Sequence, residues 1–239
     1  MKKLPIALLA AASLPVVMTP DANAAITITD ADFNNTFTDI GKDTLTQADS
    51  ANFDKWVNFG TGESIPRIWE QIGSGGNPGG YADGAFTGNN YNRTLFQAVT
   101  DSKANTGLMD LTFDLNLSNG GASNGPLTVS VWGVETLSGA SFSLSLRAQA
   151  GVTEGDATVL GTQQFSTDTT GWEGQAIQNI DFGTGYDLVV IGFWSAQYDQ
   201  TDPDIVGIDN VAIAAVPESS TSALLVGAFA LGAFRRRRK

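Results

Sequence analysis

A chain of 239 residues with 27 glycines and 42% apolar residues can build one domain with a real core once its ends are set aside. It has no cysteine and no histidine, which excludes disulfides, thiolate metal sites, cysteine nucleophiles and histidine-based acid–base chemistry. Between residues 25 and 216, six Lys and Arg stand against 23 Asp and Glu, a net charge of −17 that repels nucleic acid and anionic membrane faces, favours solubility outside the cell and attracts divalent cations.

The first residues predict export. Met1-Lys2-Lys3 is a basic start, residues 4–17 are apolar, and Ala22-Asn23-Ala24 fits the small-x-small cleavage rule. Residues 1–24 therefore read as a secretory signal peptide cut after Ala24.

Beyond the cut, residues 26–29 have strand character and Asp30-Ala31-Asp32-Phe33-Asn34-Asn35 reads as a polar turn. Short apolar stretches follow at 37–40 and 53–59. Residues 65–72 contain Trp69 and look like a strand, with Pro66 at its edge or start. Residues 73–92 are dominated by Gly and Asn and predict a long irregular loop, in which Tyr81 and Tyr91 are candidate ring platforms for a ligand.

Residues 109–117 give the clearest strand. Met109, Leu111, Phe113, Leu115 and Leu117 alternate with Asp110, Thr112, Asp114 and Asn116, so one set faces inward and the other faces water. Residues 127–134, 141–147, 158–165 and 176–182 are further strands. Residues 188–194 are nearly all apolar, which predicts a central strand covered on both faces. Residues 205–213 close the domain. Roughly ten short strands between turn signals, with no amphipathic helix, predict an all-β antiparallel sandwich of jelly-roll type over residues 25–215.

Few constellations could hold a ligand. The closing stretch Gly207-Ile208-Asp209-Asn210-Val211-Ala212-Ile213 resembles the last strand of galactose-binding-like jelly rolls, the fold of many carbohydrate-binding modules. That resemblance implies that the opening turn and this strand lie side by side and share a structural calcium. Asp209 would be one ligand and Asp30 or Asp32 its partner. Residues 198–204 hold three carboxylates and read as a solvated loop or a weak calcium site, without the turn Gly and closing Glu of an EF-hand. Trp172, between Gly171 and Glu173 in a turn region, is the tryptophan best placed to stack on a sugar, whereas Trp194 belongs to the core. Catalysis could use carboxylates alone, and no pair is marked by its spacing.

The tail has three parts in order: the box Val216-Pro217-Glu218-Ser219, a hydrophobic helix over 220–234, and the basic end Arg235-Arg236-Arg237-Arg238-Lys239. The apolar run 223–234 would make only ~18 Å of helix against a hydrocarbon core of ~30 Å. Its basic end would stay cytoplasmic. These residues resemble the PEP-CTERM sorting signal of Gram-negative bacteria, with Ser219 where the family usually has a second proline. The resemblance implies transient anchoring in the inner membrane, recognition and cleavage near the box by an exosortase-type enzyme, and delivery to the cell surface or extracellular matrix. The resulting expectation is a non-enzymatic surface or matrix protein associated with exopolysaccharide. The alternatives are a purely structural surface protein and an exported carboxylate-dependent glycosidase or lyase.

Overall fold

The computed structural model describes residues 26–35, 37–40, 44–45, 47–59, 69–84, 93–100, 102–117, 127–135, 144–145, 157–195 and 206–216, all within the compact unit Asn23–Pro217. The strands are β1 (Thr38–Ile40), β2 (Thr44–Leu45), β3 (Trp56–Phe59), β4 (Glu70–Gly76), β5 (Gly79–Asp83), β6 (Arg93–Thr100), β7 (Leu108–Leu117), β8 (Leu127–Val134), β9 (Leu144–Ser145), β10 (Ala157–Phe165), β11 (Glu173–Asp181), β12 (Leu188–Ser195) and β13 (Val206–Ala215). The described helices are two short 3-10 segments, Gln47–Asn52 and Ser102–Ala104.

Two sheets face each other as a jelly-roll-like sandwich. One has six strands in the order β1-β3-β6-β12-β8-β10, the other five in the order β11-β7-β13-β5-β4, and a small sheet pairs β2 with β9. Described pairings are antiparallel apart from the parallel pair β1–β3.

The period of two in β7 does what it predicts. Met109, Leu111, Phe113, Leu115 and Leu117 are buried between the sheets, while the intervening polar residues face outward. Phe113 makes edge contacts across the sandwich with Phe165 on β10 at 5.3 Å and Phe193 on β12 at 5.4 Å. Each such buried ring contributes about 1.5–3 kcal/mol of transfer free energy.

Strand β12 lies between β6 and β8 and is buried on both faces. Val189, Ile191 and Phe193 join the inter-sheet core; Leu188 and Val190 join a second apolar layer with Phe53, Val57, Phe96 and Trp132. The unbroken apolar run reflects this double cover. Trp194 is buried, in keeping with a core role.

The main departure concerns residues 73–92. Rather than forming one long loop, residues 73–83 belong to the hairpin β4–β5, turning at the cis peptide Asn77–Pro78. Gly75 and Gly79 adopt φ of 102° and 103°, where a side chain would be strained. A Cβ on Gly76 would strike the Gly80 carbonyl, so strand pairing here depends on missing side chains and leaves no hydrophobic pattern to read. The opening stretch 26–29 is also less regular than its composition suggests; among the described residues its strand pairing is the bridge Ile26–Ile213. Residues 1–25, 85–92 (with Tyr91), 198–204 and the tail from Pro217 lie outside the described residues. Among the described residues no helix is long and apolar enough to cross a membrane.

Candidate functional site

The most elaborate polar arrangement sits on the outward face of the five-stranded sheet, where β13 is bulged. Asp209 pairs with Asp114 and Ala212 with Thr112, so Asn210 and Val211 together face one residue of β7. Asn210 takes φ of 51°, a left-handed conformation that asparagine tolerates better than most residues. The extra residue keeps Val211 and Ile213 in the core while Asp209 and Asn210 both reach the outward side.

Asp209 is fully buried. Its Oδ2 accepts the backbone N–H of Asn77 at 2.6 Å, and its Oδ1 accepts the N–H of Asn210 at 2.8 Å. Asn210 Nδ2 donates to the Asn77 carbonyl and to Asp114 Oδ2, the latter at 2.8 Å. Asn77 Nδ2 donates to the same Asp114 oxygen at 3.2 Å. Two carboxylates and two asparagines thus fasten the hairpin turn onto β13 and β7. Burial raises the Asp209 pKa, the Asn77 and Asn210 amides pull it down, and the charges of Asp32 and Asp114 push it up.

The opening turn grips the hairpin from the other side. Strand β5 pairs with β13 only at Gly207 and Ile208. Beyond the bulge that edge of β13 is taken by the opening segment, through Val211 N–H to the Ala31 carbonyl at 3.3 Å and through the Ile26–Ile213 bridge. The expected adjacency of opening turn and last strand is therefore present. A Cβ on Gly80 would lie 2.7 Å from the Phe33 carbonyl, so only glycine lets the turn pack this closely. Gln97, buried on β6, exchanges two hydrogen bonds of 2.8 Å with the backbone of Thr29 and ties the turn to the opposite sheet.

The three residues proposed for calcium are not equivalent. Asp30 is engaged in its own turn, accepting the amides of Asn34 at 2.7 Å and Asn35 at 2.9 Å. Asp32 and Asp209 are close enough to repel. Among the described residues no group of three or more acidic side chains converges as a metal-holding set.

Tyr81 and Trp172, singled out separately in the sequence, come together. Their rings meet edge to face at 5.3 Å and an interplanar angle of 74°. Both are half-buried and lie over Gly207, where a Cβ would be 2.7 Å from Trp172 Cη2 and 3.3 Å from Tyr81 Cδ2. The indole N–H donates to the Gly75 carbonyl at 2.9 Å, so Trp172 also holds the hairpin. In register with Gly207 stand Asp83 on β5 and Asn116 on β7. Burial, then the charge of Asp83, raises the Tyr81 hydroxyl pKa. Aromatic area with carboxylate and amide groups beside it can stack on a sugar ring and hydrogen-bond its hydroxyls. Sequence reasoning missed Asn77, Asp114 and Gly207; only the Asn-Pro and Gly-Gly dipeptides around the turn hinted at a special backbone there.

No protein-family model and no curated protein matches the chain. Among solved structures it is similar to an apo-form cyclase from Fischerella sp., at 14% identity and TM-score 0.46, over 82% of this chain and 98% of that one. It is also similar to the xylan-binding domain of Xyn10C from Paenibacillus barcinonensis, at 9% identity and TM-score 0.42, over 81% and 95% of the two chains. A carbohydrate-binding module solved with β-1,4-galactotriose matches at 12% identity and TM-score 0.42, over 67% and 88%. None of these similarities assigns a ligand or an activity to this chain.

Proposed function

We propose that this chain is an exported, non-enzymatic cell-surface or matrix protein whose β-sandwich associates with exopolysaccharide. The observation that supports it most directly is the pairing of Tyr81 and Trp172, 91 positions apart, over Gly207 on the outward face of the five-stranded sheet. Glycan arrays and polysaccharide pull-downs with residues 25–215 test it. Binding that is lost in Trp172→Ala and Tyr81→Ala is the expected result, and equal, flat responses to every glycan would remove the binding half.

A purely structural role is the second reading, favoured by one observation. The Trp172 N–H is already taken by Gly75, so the ring pair can serve to hold the hairpin alone. That reading predicts retention in the matrix without any glycan ligand. The glycosidase or lyase reading gains nothing from Asp114 and Asp209, the pair that converges on one site. Asp209 is fully buried with both oxygens accepting backbone amides, and so is withdrawn from substrate.

Sorting belongs to the same proposal. The box, apolar run and basic end would pass the domain to an exosortase-type enzyme after brief inner-membrane anchoring. Replacing Pro217 and Glu218 by alanine should trap the protein in the membrane fraction; unchanged delivery would reject the sorting signal. Calcium between the opening turn and Asp209 is proposed with Asp32 as the partner, because Asp30 already accepts two amides of its own turn. It is supported by the repulsion between Asp32 and Asp209, which a dication between them would relieve.

A further inference from the structure

We infer that the face around Tyr81 and Trp172 selects uncharged glycans and excludes polyanionic ones such as uronate or sulfated polymers; this rests on the glycan-binding reading above. Outward positions on the adjacent strands are rich in carboxylates. Asp83 follows Tyr81 by two residues on β5, which places it on the same side roughly 7 Å away. Asp114 stands one row along on β7, two residues before Asn116, and Asp110 lies further down the same strand. The two lysines whose side chains are described belong to the six-stranded side. Lys103 pairs with Asp187 at 3.5 Å and donates to the Glu135 carbonyl, and Lys55 donates to the Ala51 carbonyl.

A polymer lying across the rings therefore meets negative charge on both sides. Asp83, roughly 7 Å along the strand from Tyr81, acts within the Debye length of ~8 Å at physiological salt, so its charge is only partly screened. A polymer with one anion per sugar meets this repulsion at every step, on a domain that already carries −17 between residues 25 and 216. Neutral hydroxyls have no such cost and find acceptors in the same carboxylates and a donor and acceptor in Asn116. The acidic face thus acts as a filter against the wrong ligand rather than as an attractor for the right one.

The test uses the full chain in affinity electrophoresis and biolayer interferometry at 0.05 and 0.5 M NaCl. The neutral probes are xylan, dextran, galactan and mannan; the anionic probes are alginate, polygalacturonate and chondroitin sulfate. The expected result is binding to at least one neutral polymer, lost in Trp172→Ala. Every polyanion should bind at least about tenfold more weakly at low salt, with a smaller gap at high salt. A polyanion bound at low salt as tightly as the best neutral polymer would overturn the charge filter and leave the glycan-binding reading standing. Binding to none of the seven polymers would overturn both.

Discussion

The Asn77 amide donates to the Asp209 carboxylate at 2.6 Å across 132 positions of sequence, joining the hairpin turn to the last strand. The same carboxylate also accepts the Asn210 amide, so its removal strands two N–H groups at once. Asp209→Ala is expected to destabilise the domain by about 1–3 kcal/mol, the usual cost of an unmet buried donor. Urea unfolding measures it, and a change below about 0.5 kcal/mol would mean the clamp is dispensable.

The pH dependence has a definite sign. Asp209 has its pKa raised in the folded state, chiefly by burial. Its ionised form therefore costs stability at neutral pH. That cost fades as pH falls through the folded pKa and is gone below the unfolded value of about 3.9. Wild type should gain stability relative to Asp209→Asn as the pH falls from 7 toward the unfolded value of about 3.9, read as the difference in Tm. A difference that stays flat or shrinks contradicts the raised pKa.

Gly207 is the floor under two rings. Its replacement by Ala places a methyl 2.7 Å from Trp172 Cη2, too close for contact, so the indole must lift and release the Gly75 carbonyl. The loss should be about 1–2 kcal/mol, one ring contact and one hydrogen bond, with β12 and β8 undisturbed. Faster amide exchange in residues 73–80, with unchanged protection in the six-stranded sheet, is the expected pattern.

Calcium makes a separate prediction. A ligand held only by the folded state stabilises it by about 2.7 kcal/mol at a hundredfold excess over Kd. EDTA should lower the Tm of the purified domain and added calcium should restore it, with the response abolished in Asp209→Ala and weakened in Asp32→Asn. An unchanged Tm would remove the ion from the proposal.

What could be read in advance followed the side chains. Strand β7 and strand β12 were visible because alternation and an unbroken apolar run each correspond to one burial pattern. The hairpin β4–β5 was hidden because glycine has no side chain to show which face is buried. Asp209 could be named from its Asp-Asn context, but its partner Asn77 could not, since sheet order brings them together. Tyr81 stands out in the sequence as a ring platform for a ligand and Trp172 as the tryptophan placed to stack on a sugar. Their contact was illegible because it depends on β5, β13 and β7 lying in that order, with a glycine at the crossing point.

The ladder between β13 and β7 runs to the last residues of the domain, and even Val216 donates its amide to the Leu108 carbonyl at 2.9 Å. Hydrogen bonds between antiparallel strands lie perpendicular to the strand axis. A pull applied at residue 217 while the outward face near Gly207 is held therefore runs along β13. The ladder bonds take that load side by side in shear instead of opening one after another. A protein fastened at its C-terminal end and gripped on that outward face would thus be held through a ten-residue strand hydrogen-bonded along most of its length to β7.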